Sequence, residues 1–294
     1  MNSTWKIAVI MALCTVAISD TIYVNTLVDV ADGDTSSVTS LISSPGADGS
    51  ISFREALIAS NNSTGEHEIL FSVQGTILLE SNLPNIDNTT GTVEIDGGKN
   101  INLDISTIQS VKSKRINFAD DTFMSQKSCS IKITTDGNTM KNLRISSDKY
   151  PENGVEFSMH IVGNNNAFCG NTIDVMDFTI PIYIYGHNNY FGGNMEDGGN
   201  IISIGIIAVY GGSNIIKGNI VSGIFIDPSS LENQIGGSSH GDGNIFGFYI
   251  IGNQYYPSQD NSIAIFDISK NNVNPTLQSP YINKIQGNYI GHNP

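Results

Sequence analysis

Large apolar residues recur through the second half of the chain inside one polar frame, Asn-x-apolar-x-Gly. The frame reads Asn166-Ala-Phe168-Cys-Gly170, Asn189-Tyr-Phe191-Gly-Gly193, Asn214-Ile-Ile216-Lys-Gly218, Asn233-Gln-Ile235-Gly-Gly237 and Asn283-Lys-Ile285-Gln-Gly287. Degenerate forms stand at Asn138-Thr-Met140-Lys-Asn142 and Asn261-Ser-Ile263-Ala-Ile265. The central residue stays large while its neighbours drift, which is the period-two pattern of a short strand with its centre turned inward. Three longer stretches, Ile161–Asn171, Ile184–Asn194 and Val209–Asn219, align column for column at offsets of 23 and 25 residues. A period in this range without heptads predicts repeats that bury their apolar side by stacking on one another. The flanking Gly and Asn tolerate positive φ and mark corners. Short strands, several per repeat and with no helical pattern between them, predict an all-β parallel β-helix, a solenoid with coils of about 22–25 residues. Asn138, Asn166, Asn189 and Asn214 are then turn-holding amides stacked at the sheet spacing, with Phe168, Phe191 and Ile216 inward beneath them.

Upstream the alternation is looser, over Glu68–Leu79 and Gly91–Ile105, and these stretches read as early coils of the same stack. The segment Gly49–Asn61 is different. Ser52 followed by Glu55 is a capping box, and Phe53, Ala56, Leu57 and Ser60 share one helical face, predicting a short capping helix near residues 52–60. On such a helix Arg54 reads as a structural ion pair rather than a catalytic group. Residues 1–19 read as a secretory signal: Lys6 supplies the leading charge, Ile7–Ile18 the apolar run, and Ala17-Ile18-Ser19 the small residues before a cut at Asp20. The run is too short to span a bilayer. The domain plan is therefore a signal over 1–19, an N-terminal strand and capping helix over 20–65, and the β-helix over 66–294, in a secreted, unanchored protein.

The strand Thr21–Leu27, the Asp/Gly/Ser-rich loop after it, Ser52-Phe53-Arg54-Glu55-Ala56-Leu57, Val73–Ile77 and Val93–Gly97 together resemble the N-terminal region of secreted β-helix proteins with a C-S-L-R-E-A motif. Those belong to the pectin-lyase-like superfamily, and the resemblance implies a right-handed helix. Ile51 stands where the family has Cys, and Phe53 replaces Leu. The resemblance speaks for fold and hardly for activity, because the superfamily mixes polysaccharide lyases and hydrolases with adhesins and fibres.

Charge narrows the partners. Without residues 1–19 the chain carries 13 basic and 28 acidic side chains, a balance of −15. Such a surface repels nucleic acid and other polyanions and favours cations or neutral partners. Cys129 and Cys169 would both lie in an oxidising compartment, where they either pair or leave Cys169 as an inward thiol. Asn61, Asn62 and Asn88 stand in Asn-x-Ser/Thr sequons.

Catalytic signatures are sparse. Arginine occurs only at 54, 115 and 144, so the best-formed coils offer no guanidinium base. The paired-acid set of polygalacturonase-like enzymes is missing: Asp120-Asp121 stands without companions, and Ser239–Gly243 reads as a Gly-rich corner. One constellation remains. Asp174 and Asp197 each follow a repeat Asn by three residues, and in one column their carboxylates would lie about 5 Å apart. With Glu196, and Asp177 nearby, they read as turn residues, a two-carboxylate calcium site, or a retaining-glycosidase pair. A second feature is a strip of outward aromatics, Tyr183, Tyr185 and Tyr210 beside His160, which either stacks on sugar rings or packs on itself.

The chain thus reads first as a non-enzymatic surface or extracellular-matrix protein, a glycan-binding adhesin, and second as a polysaccharide-degrading enzyme using Asp174 and Asp197. Release of reducing ends or unsaturated products separates the two. The segment Tyr281–Pro294 runs partway round a fresh coil without a capping helix, so that end is expected to be covered by a second copy, a partner or further sequence.

Overall fold

The computed structural model describes residues 20–108, 129–147, 157–175, 182–194, 198–203, 205–227, 229–246, 248–251, 254–257, 262–265 and 283–290. The chain is mostly β, and its described strands pair in parallel apart from one hairpin. Three families of strands alternate in chain order. A second sheet takes Cys129–Ile133, Phe157–Ile161, Ile182–Ile184, Ile206–Val209, Gly223–Ile226 and Ser262–Ile265. The main sheet has two arms. Its first arm holds Ala167–Cys169, Tyr190–Gly192, Ile215–Lys217, Gln234–Gly236 and Lys284–Gln286, and its second holds Thr172–Val175, Ile201–Ile202, Ile220–Val221, Ile245–Phe246 and Tyr289–Ile290. The arms meet at Thr139–Ser147, which pairs with Ala167–Cys169 through its first half and Thr172–Val175 through its second. Each circuit of the chain therefore adds one strand to each of the three faces.

The inward positions follow the sequence frame. Met140, Phe168, Phe191, Ile216 and Ile235 stack in register, all buried. The Phe168 and Phe191 rings lie 5.7 Å apart. Ile161, Ile184, Val209 and Ile226 do the same on the second sheet. Each fully buried side chain of this size contributes about 1.5–3 kcal/mol. Ile285, the frame's last inward residue, is 40% exposed.

Two amide ladders run along the corners. In the first, the backbone N–H of Asn138 donates to Asn166 Oδ1 (2.7 Å), Asn166 to Asn189 (2.9 Å), Asn189 to Asn214 (2.8 Å), Asn214 to Asn233 (2.9 Å) and Asn233 to Asn283 (2.9 Å). The second ladder was not anticipated. It links Asn171, Asn200, Asn219, Asn244 and Asn288, each N–H donating to the next Oδ1 at 3.0 Å. Its side-chain amides also donate back to main-chain carbonyls, Asn200 to Phe168 and Asn219 to Phe191, both at 3.0 Å.

Several expectations change. Asn194 does not share a column with Asn171: Gly198 and Gly199 both donate N–H to Asn194 O, and Asn200 takes the ladder position. Ser262–Ile265 belongs to the second sheet, with Ile263 level with Ile224, so Asn261-Ser-Ile263 is no member of the Asn frame. Phe248–Ile251 and Gln254–Pro257 form an antiparallel hairpin lying against Ile220–Val221. The Asp/Gly/Ser-rich loop contains a helix, α1 (Val38–Ser43), capped by Ser37 and anchored by buried Val38 and Leu41. The predicted capping helix is α2 (Phe53–Asn61), with both halves of its capping box formed and Phe53, Ala56, Leu57 and Ser60 buried. The signal over 1–19, Arg115 and Asp120-Asp121 lie outside the described residues.

Glycine is required at one column. A methyl group on Gly163, Gly186 or Gly211 would stand 1.9, 1.9 or 1.8 Å from the carbonyl oxygen of Thr135, Gly163 or Gly186 respectively. The obstacle is backbone of the preceding circuit and cannot rotate away. Gly186→Ala is expected to cost about 3 kcal/mol or more in urea unfolding. Gly198→Ala, whose nearest neighbour is at 3.4 Å, is expected to stay within about 0.5 kcal/mol of the parent. Equal midpoints for the two variants would contradict the stacked-backbone account.

Candidate functional site

The second arm positions Asp174. It lies level with Ser146 on one side, and its carboxylate meets Arg144 at 2.5 Å, both groups partly exposed. On the other side Thr172 pairs with Ile201 and Ile173 with Ile202, so the next residue in the column is Ser203, whose N–H donates to Ile173 O. The sequence reading put Asp197 in this column; the described residue that follows Asp174 there is Ser203. Asp177, Glu196 and Asp197 lie outside the described residues. Among the described residues no group of three His, Cys, Asp or Glu is arranged to hold a metal ion.

The second sheet positions the aromatic strip. Tyr183 lies level with His160 and Ala208, while Tyr185 and Tyr210 follow Ile184 and Val209 at the strand ends. The rings run nearly parallel: His160 to Tyr183 at 4.9 Å and 9°, Tyr183 to Tyr185 at 6.1 Å and 5°, Tyr185 to Tyr210 at 5.1 Å and 14°. Parallel rings at 4.9 and 5.1 Å overlap in an offset stack. The stack tilts out at Phe225, 5.9 Å from Tyr210 and at 50°. The tyrosines are thus brought together as expected, and their rings stack on one another.

His160 begins this stack. Its Nε2 lies 3.0 Å from Ser158 Oγ, and its Nδ1 is buried without a partner. Burial, with Lys132 level on the preceding circuit, pushes its pKa down to about 4.

The N-terminal motif is a structural latch. Arg54 meets Asp29 through Nε and Nη2 at 2.8 and 2.7 Å and donates to the carbonyls of Ser81 and Asn82. Glu55 is fully buried and accepts three backbone N–H bonds, from Asp32, Gly33 and Ser52. Elsewhere Lys141 bonds Glu94 and Asp96, and Lys217 bonds Asp242, the acid of the Gly-rich corner. Cys169 is a free, half-buried thiol. Burial raises its pKa.

The sequence reading missed the second amide ladder, although Gly-Asn at 170–171, 199–200, 218–219, 243–244 and 287–288 marks it. It also passed over Asn165 and Asn188, the exposed residues just before two ladder asparagines. Comparison with family models, with curated proteins and with solved structures gives no match.

Two outcomes follow from these contacts. Arg54→Ala leaves the Asp29 carboxylate, 1% exposed, without its cation, and is expected to cost about 3–5 kcal/mol in urea unfolding. A loss below 1 kcal/mol would show the pair to be incidental. His160 has a folded pKa below its unfolded value of about 6.5. Its neutral form is therefore favoured in the fold. That contribution is fully present above about pH 6.5 and is lost as pH falls towards 4, at no more than about 1.4 kcal/mol per pH unit. His160→Phe keeps the stacking and removes the titration, so its stability should fall less steeply over this window. Parallel pH profiles would refute the assignment.

Proposed function

We propose that this chain is a secreted right-handed parallel β-helix of the pectin-lyase-like kind, working as a non-enzymatic surface or extracellular-matrix protein that binds neutral glycan. The rotation of strands through three faces supports the β-helix reading. The latch built from Ser52, Arg54 and Glu55 supports the resemblance to the C-S-L-R-E-A proteins, because three motif side chains have a structural task. Secretion rests on the signal-like pattern of residues 1–19.

One observation carries the functional reading. Asp174, the one carboxylate candidate among the described residues, is bonded to Arg144, and Arg54 to Asp29, Lys141 to Glu94 and Asp96, and Lys217 to Asp242 tie further charges to neighbouring circuits or to the N-terminal latch. Groups tied into such pairs hold the stack together and are poorly placed to exchange protons with a substrate. What the molecule offers a partner is an extended, rigid surface with an acidic balance, suited to a neutral polymer.

The test is incubation with insoluble and soluble neutral and acidic polysaccharides, reading retention and product release together. Retention on a neutral polymer without new reducing ends or unsaturated products is expected. Cleavage that disappears in Asp174→Asn would overturn the proposal in favour of an enzyme.

A further inference from the structure

The corner between the second sheet and the first arm repeats the same tip on successive circuits. Backbone at Gly137, Asn165, Asn188, Ser213 and Glu232 sits at φ between 55° and 76°, the left-handed region that Asn and Gly enter at least cost. The tips are bonded to one another along the stack. Asn164 N–H donates to Asp136 Oδ1 (2.7 Å), His187 N–H to Asn164 Oδ1 (2.8 Å), and Gly212 N–H to His187 Nδ1 (3.0 Å). The main chain adds Asn165 N–H to His187 O (3.0 Å) and Asn188 N–H to Gly212 O (3.2 Å).

This ridge is ordered without using its outermost side chains. Asn165 and Asn188 are exposed, and among the described residues neither side-chain amide makes a hydrogen bond. They occupy one column on consecutive circuits, about 4.8 Å apart at the backbone. Between them His187 is exposed. Its Nδ1 accepts the Gly212 N–H, so the ring proton sits on Nε2 and is available as a donor. Tyr185 and Tyr210, whose rings stack at 5.1 Å, stand just before Gly186 and Gly211 in the same corner segments.

We infer that the ridge formed by Asn165, His187 and Asn188 is a binding site for an extended, neutral β-linked polysaccharide lying along the stack. This inference rests on the glycan-binding reading above and moves its site from the tyrosine faces to the corner. Each amide offers a donor and an acceptor to neighbouring hydroxyls of a sugar. The spacing of one amide per circuit lets successive sugars meet the same pair of groups. Because the tips are already fixed by αL backbone and cross-circuit bonds, little ordering cost remains at binding. The two amides are uncharged and the chain as a whole carries −14, which selects a neutral polymer over a polyanion.

The test uses the full chain with microcrystalline cellulose, chitin and mannan as neutral probes and polygalacturonate as the acidic one. Asn165→Gly/Asn188→Gly removes both amides while glycine keeps the left-handed backbone, so its urea midpoint should match the parent or exceed it. Asn165→Asp/Asn188→Asp keeps the side-chain shape and removes the donors. The parent should be retained on at least one neutral polymer, with retention at least tenfold weaker in both variants. If the parent is retained and folded variants are retained equally, the ridge assignment fails while the glycan-binding reading stands. A parent retained by none of the polymers overturns that reading and this inference with it. Preference for polygalacturonate overturns the ridge assignment and, with it, the neutral-glycan part of the reading above.

Discussion

Backbone N–H groups at the two corners of each circuit are the constraint on which this fold depends. Strand pairing satisfies the straight segments, but at a bend the N–H leaves the ladder while remaining buried. An unmet donor there costs about 1–3 kcal/mol, and the cost recurs at every corner. The asparagine of the next circuit supplies the missing acceptor, again and again along the stack. Aspartate would offer the same oxygen at the expense of a buried charge, whereas an amide is neutral and also donates. Asn171, Asn200, Asn219 and Asn244 use that second capacity on main-chain carbonyls of earlier circuits. A register slip by one residue would unpair both ladders and turn the phenylalanines outward, so corner chemistry and core packing enforce the same alignment.

The amide solution stops towards the N-terminus. Val93 is level with Asn138 and donates its N–H to Asn138 Oδ1, but valine has no acceptor to pass on. His67, level with Val93, is buried with both ring nitrogens unpartnered. From there another chemistry takes over. The Glu55 carboxylate gathers three N–H groups, and Asp29 holds Arg54 against the carbonyls of residues 81 and 82. Repetition cannot terminate itself, so the end of the stack is fixed by charged groups paired once and not repeated.

That difference governs how much was legible in the sequence. Asn166, Asn189 and Asn214 with Phe168, Phe191 and Ile216 were readable because each circuit states the same requirement anew. The capping helix was readable because Ser52 and Glu55 form a local signature. Register was misread at Asn194, where a match at an offset of 23 residues concealed that Asn200 holds the ladder position. The Gly-Asn pairs were the better guide, since a ladder position is defined by what it bonds and not by its count from the last repeat. Helix α1 was missed because six residues with one polar cap show little periodicity; tertiary burial of Val38 and Leu41 holds it. Of the candidate site, the aromatic strip was visible as a list of outward residues, but ring orientation was not, because sequence alternation fixes a face and leaves side-chain torsions open.

Inward and outward positions therefore carry information of different kinds. Inward residues answer a condition set by the neighbouring circuit, so they repeat and can be read by comparison within the chain. Positions that alternate with them change from circuit to circuit: Lys141 is followed by Cys169 in one column, and His160, Tyr183, Ala208 and Phe225 succeed one another in another, with Ala208 buried. Their ion pairs weaken in salt, while the buried amide ladders beneath them carry no charge to screen. The scaffold can then tolerate wide variation in what it displays, because its register is fixed by groups a partner never touches. A fold held in this way is written many times over in its own sequence, and its function is written once, on the side chains that the stack does not need.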